Sequence, residues 1–124
     1  MFDWASYLVL ARELAKQPDE ASHRSAVSRA YYAIFNKARL LLEGEGAAIT
    51  STGRAHDDVW RALEAAGRGR RRLGADGKRL REMRRKADYD GVVPALWKVV
   101  ADALATADAM NRLVDAEAGR KPGT

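Results

Sequence analysis

The residues of this chain best suited to chemistry lie between Arg79 and Asp90, in the run RLREMRRKADYD. On a helix turning about 100° per residue, Arg84 falls beside the apolar stripe from Leu80 to Ala87, and Asp88 follows one turn later on the same edge. Arg84 and Asp88 can then pair at i, i+4, an interaction worth roughly 0.3–0.5 kcal/mol when exposed. With Tyr89 they present a guanidinium, a carboxylate and a phenol, and these three are the candidate catalytic residues. The plainer reading is a pair that ties down a helix end, with Tyr89 packed on a neighbour. A tyrosine is a weak acid–base group near neutrality, since its unperturbed pKa is about 10. Arg79, Arg81, Arg85 and Lys86 surround the trio with positive charge and are candidate anion-binding residues.

A second candidate surface is the polar side of the segment from Arg24 to Leu42, where Arg29, Tyr32, Asn36 and Arg39 recur at helical spacing. Either another helix packs there and Arg29 finds a carboxylate such as Asp88, or Arg29, Tyr32 and Asn36 line a binding groove. Other chemistries lack their residues. There is no cysteine, so disulfides, thiolate nucleophiles and Cys-type zinc sites are excluded. His23 and His56 are far apart in sequence, and neither a metal nor a cofactor is expected. No phosphate-loop, nucleophile-elbow or H-E-x-x-H motif occurs, and GADGK at 74–78 lacks a preceding strand and the right spacing.

The elements that must position these groups are all helical. Asp3 can cap a first helix to about Gln17, with Trp4, Tyr7, Leu8, Leu10, Ala11 and Leu14 inward. A long second helix from near Ser22 to the Gly44–Gly46 turn buries Val27, Ala30, Tyr31, Ile34, Phe35, Ala38, Leu41 and Leu42. A connector at 47–53 offers Ser51 or Thr52 as a cap. A third helix at 54–66 carries His56, Val59, Trp60 and Leu63 on one stripe. Residues 67–77, with four glycines and four arginines, read as a mobile basic loop or a fraying helix start. A short fourth helix covers 77–89. Pro94 suits the first turn of a fifth, alanine-rich helix. The expected architecture is an all-α, up-down antiparallel bundle of four to five helices in one domain, 1–118, with a disordered polar tail at 119–124.

The net charge is +5, and the twelve Lys/Arg against seven Asp/Glu in 53–90 account for all of it. Clustered basic charge is a possible footprint for a polyanion, although arginine on a solvated helix face produces the same count. No segment reads as a signal peptide or membrane span, so a cytoplasmic location is expected.

SRAYYAIFNKARLLL, followed about 40 residues later by LREMRRKADYD, resembles the HEPN superfamily, and in particular its small prokaryotic branch. The matching residues are Ser28, Ala30, Tyr31, Tyr32, Ala33, Phe35, Ala38, Leu41 and Leu42, then Arg84, Lys86, Ala87, Asp88 and Tyr89. The resemblance implies an all-helical, often dimeric protein of toxin–antitoxin or defence loci, frequently beside a minimal nucleotidyltransferase. Many relatives are metal-independent ribonucleases with an R-x(4–6)-H signature, in which histidine transfers a proton and arginine stabilises charge on the scissile phosphate. That signature is missing here, and Asn36 stands where relatives often have histidine. Three functions follow as expectations: a homodimeric binding protein that takes RNA, a nucleotide or an acidic partner such as a nucleotidyltransferase; an endoribonuclease toxin with a diverged site; or a purely structural assembly module.

Overall fold

The computed structural model describes residues 1–120 and folds them into five helices: α1 (Ala5–Ala15), α2 (Glu20–Gly44), α3 (Ala55–Ala65), α4 (Arg68–Tyr89) and α5 (Leu96–Ala118). The all-α bundle is as the apolar periodicity requires, with no strand among the described residues. None of the described helices is long and apolar enough to cross a membrane.

α2 lies at the centre because its apolar residues extend well beyond one stripe: Ala26, Val27, Ala30, Tyr31, Ala33, Ile34, Phe35 and Ala38 are all buried. Its start is set by Asp19, whose carboxylate accepts from the backbone N–H of Ser22 at 2.9 Å, so the helix begins at Glu20, two residues before the expected start near Ser22. α4 runs antiparallel to α2, since Arg70 meets Glu45 at one end and Ser28 meets Asp88 at the other. α5 runs beside α2 in the same direction: Lys37 bonds Asn111 and Asp115, while Arg24 holds the turn leading into α5. That guanidinium donates to the carbonyls of Ala87, Asp90 and Gly91 at 3.1, 2.5 and 3.2 Å. α1 is tied to α5 by Arg12 and Asp108. Alanines buried on α1, α2 and α5 let these axes come close.

Three local expectations need correction. Residues 68–77 are neither loop nor frayed end but the first half of α4. A Cβ on Gly74 would stand 2.5 Å from the Trp60 carbonyl oxygen, and one on Gly77 would stand 2.2 Å from the Trp60 ring. These glycines let α3 seat directly on α4, and tertiary packing overrides their poor helix propensity. Pro94 does not enter α5: Ala95 takes a left-handed conformation at φ 50°, and the helix begins at Leu96. Leu10 faces outward at 43% exposure, whereas Leu8 and Ala11 are buried. In the connector, Thr52 Oγ1 accepts from the backbone N–H of Arg54. Of the polar tail expected to be disordered, Gly119 and Arg120 continue off α5 through bonds to Asp115 and Glu117; 121–124 lie outside the described residues.

Candidate functional site: an arginine–tyrosine seam

Tyr31 and Tyr32 are adjacent on α2, so their side chains leave the helix about 100° apart. Tyr31 is buried against α3 and α4, and Tyr32 is half-buried. Their rings meet edge to face, with centroids 5.3 Å apart. From α4, the Arg84 guanidinium carbon lies 5.3 Å from the centroid of Tyr31 and 5.5 Å from that of Tyr32. Arg29, one turn before Tyr32, places its own guanidinium carbon 5.6 Å from the Tyr32 ring and 4.8 Å from the Tyr7 ring of α1. Tyr7, Arg29, Tyr32, Arg84 and Tyr31 thus form an alternating series of rings and cations. Each contact of this kind contributes about 0.5–2 kcal/mol, more as water is excluded.

Ring faces do not satisfy N–H donors. The Arg84 side chain is only 8% exposed, and its ion pair to Asp88 is long at 3.5 Å. Its buried Nε has no hydrogen-bond partner among the described residues, and neither has the Nε of Arg81. A buried cation is normally fully paired and hydrogen-bonded, because taking it out of water costs several kcal/mol (about that scale for any ion). Asp88 divides itself between Arg84 and the Ser28 hydroxyl, which donates at 3.3 Å. Arg29 has no carboxylate or carbonyl partner among the described residues, so the expected Arg29–Asp88 pair does not form.

His56 completes the seam from α3. Its ring stacks on Phe35 at 4.1 Å and lies 5.6 and 6.0 Å from the rings of Tyr31 and Tyr32. His56 Nδ1 is 2.7 Å from the Tyr31 hydroxyl, and Trp60 Nε1 donates to that same hydroxyl at 3.0 Å. Burial first, then the charges of Arg81 and Arg84, hold His56 down at about 4. Burial likewise pushes the Tyr31 phenol well above its ordinary value.

The seam gathers Arg29, Tyr32, Arg84 and Asp88, with Arg81 at its α3 edge, where it pairs with Asp57 at 2.5 Å. The other candidates stand apart. Asn36 donates its amide N–H to the Tyr32 carbonyl at 2.8 Å and is occupied by its own helix. Arg79, about 200° round α4 from Arg81, donates to Thr106 of α5. Arg85 pairs with Glu82 on the outside, Lys86 is exposed, and Tyr89 is 77% exposed. Much of the basic run is spent internally: Arg70 on Glu45 and Glu117, Arg72 on Asp76, Lys78 on Glu64.

Tyr7, Ser28 and Tyr31 join the site without having been singled out for it, and His56, expected as a structural residue of the α3 stripe, joins them. The one available signal was that His56 and Trp60 share an α3 stripe while Tyr31 lies on the core side of α2. A cavity of about 300 Å³ lies elsewhere, floored by Trp4, Leu41 and Val114 and edged by Asp3, Lys37 and Asp115. It touches none of the seam residues. Among the described residues no group of three or more His, Asp or Glu side chains is placed to hold a metal. No protein-family model, curated protein or solved structure matches this chain.

Proposed function

We propose that this chain is a HEPN-type protein of a toxin–antitoxin-like or defence module that acts by binding, and that Arg29, Tyr32 and Arg84 receive the phosphates of RNA or a nucleotide. The observation that carries this reading is the incomplete pairing of Arg84: a guanidinium buried against two tyrosines, with one 3.5 Å carboxylate contact and an orphaned Nε. An anion beside the guanidinium strengthens a pairing that Asp88 makes only at 3.5 Å, and the half-buried Tyr32 ring offers a face to a base. Homodimerisation and a nucleotidyltransferase partner belong to this reading through the sequence resemblance alone, and a cytoplasmic site of action is part of the same proposal.

The endoribonuclease reading draws on His56 standing next to Arg84 on the same two rings. Binding is favoured because the groups available for proton transfer are already engaged: Asp88 by Arg84 and Ser28, and His56 by Tyr31.

The test is a salt titration of RNA binding by the purified protein in EDTA. Phosphate contacts give a steep negative slope of log K against log salt, and losing one contact flattens it by about 0.7 for a single strand. Arg84→Met and Arg29→Gln are expected to weaken binding and flatten the slope, with Lys86→Gln close to wild type. A flat slope in the wild type, or equal losses in Lys86→Gln and Arg84→Met, overturns the proposal. Cleavage of the RNA that disappears in Arg84→Met replaces it with the enzyme reading.

A further inference from the structure

We infer that His56 is locked as its Nε2–H tautomer by Tyr31 and Trp60, and that it offers this N–H to an oxyanion held beside Arg84. The inference rests on the anion-binding reading and assigns His56 the role of neutral donor within that site.

The argument is a count of protons. An indole N–H can only donate, so Trp60 Nε1, 3.0 Å from the Tyr31 oxygen, makes that oxygen an acceptor. The phenol still has one proton to place, and His56 Nδ1 at 2.7 Å is the nitrogen that takes it. Were Nδ1 to carry the proton instead, the Tyr31 hydroxyl would face two donors, and its own hydrogen would be buried with no acceptor among the described residues. Nδ1 is therefore unprotonated, and the neutral ring carries its hydrogen on Nε2. No described residue accepts from Nε2. That nitrogen is also not sealed in, because the buried side-chain polar atoms lacking partners are Arg81 Nε and Arg84 Nε.

The surroundings keep the ring neutral. Arg81, Arg84 and Arg39 act against the imidazolium, and Asp57 acts for it. His56 and the Arg84 guanidinium rest against the same pair of tyrosines, at 5.6 and 6.0 Å and at 5.3 and 5.5 Å respectively. A cation and a neutral N–H donor on one aromatic platform suit a phosphate oxyanion. With its lone pair committed to Tyr31, His56 holds such an anion without taking a proton from it.

The experiment is imidazole ¹⁵N–¹H NMR of the whole chain between pH 5.5 and 8, free and with inorganic phosphate, using chloride at matched ionic strength as control. The free protein is expected to show His56 unprotonated at Nδ1 and protonated at Nε2 throughout. Tyr31→Phe is expected to release Nδ1, giving mixed tautomers and a higher titration midpoint. An Nδ1–H tautomer or an imidazolium at pH 7 overturns the assignment. Phosphate is expected to shift the Nε2–H resonance saturably, an effect lost in Arg84→Gln and absent with chloride. A short single-stranded RNA in place of phosphate distinguishes a phosphodiester ligand from the free ion. His56→Leu is expected to weaken binding about tenfold, the scale of one hydrogen bond to a charged group, and His56→Gln to restore most of it. If RNA still binds by the salt criterion while the Nε2–H resonance stays unmoved, the His56 contact is wrong and the anion-binding reading survives. If neither responds, both fall.

Discussion

Replacing Gly77 by alanine tests the junction that places His56, Trp60 and Tyr31 together. In an exposed helix interior this change stabilises by about 1 kcal/mol, because alanine loses less backbone entropy and packs no polar group. Here the new Cβ would sit 2.2, 2.3 and 2.5 Å from Cε3, Cδ2 and Cζ3 of the Trp60 ring. Trp60 is fully buried and anchored through its Nε1 to Tyr31, so it cannot swing aside without breaking that bond. Overpacking of this kind costs about 1–3 kcal/mol, and after the propensity gain a net loss of up to about 2 kcal/mol is expected. Gly74→Ala is expected to lose more, since its Cβ meets backbone, the Trp60 carbonyl oxygen at 2.5 Å and the Glu64 nitrogen at 2.6 Å. Gly69→Ala is the internal control. Its Cβ meets the end of the flexible Leu113 side chain at 3.3 Å, and a change within about 0.5 kcal/mol is expected. Urea denaturation at constant m gives the three values. If Gly74→Ala and Gly77→Ala both stabilise by about 1 kcal/mol, as free helix glycines would, α3 is not seated on α4 and the site argued from it is gone.

Acid should weaken the fold through His56. Its pKa of about 4 lies below the ordinary 6.5, so below pH 6.5 the unfolded chain binds a proton that the native chain refuses. The contribution is complete above about pH 6.5 and is lost as the pH falls towards 4. The ceiling is roughly 3 kcal/mol, discounted to about 1–2 because the ring is partly solvated. Urea midpoints at pH 7 and 4.5 check it: His56→Gln should lose less stability than wild type over that interval, and parallel losses contradict the assignment. Glu117, 7% exposed, takes Arg70 Nε at 3.0 Å while Arg70 also meets Glu45 at 2.6 Å. Glu117→Gln should therefore cost about 1–2 kcal/mol, with Arg70 retaining its second carboxylate. Arg85→Ala, which breaks only the outer pair to Glu82, should stay within about 0.5 kcal/mol by the same denaturation.

Much of the architecture was legible because helical periodicity is a local property. The apolar repeat in 24–42 marks the central helix, and Leu80, Arg84, Ala87 and Asp88 fall on α4 as their spacing requires. The meeting of Arg84 with Tyr32 is of another kind, a contact between segments distant in sequence, with 5.5 Å from guanidinium carbon to ring centroid. What the residues could not say is what each polar group spends itself on. Arg79, Arg81, Arg85 and Lys86 are one basic cluster in sequence, yet the fold sends them to Thr106, to Asp57, to Glu82 and to solvent.

Composition, helical class and the two aromatic-basic segments were thus determined by the chain itself, since each depends on neighbours three or four residues away. The start of α4 and the role of His56 were decided by tertiary structure. Glycine disfavours a helix by about 1 kcal/mol unless another element needs the room, and only the arrival of Trp60 against Gly74 and Gly77 creates that need. The same indole fixes the Tyr31 hydroxyl, and through it the proton on His56, a chain of donors drawn from α2 and α3 that no stretch of sequence contains.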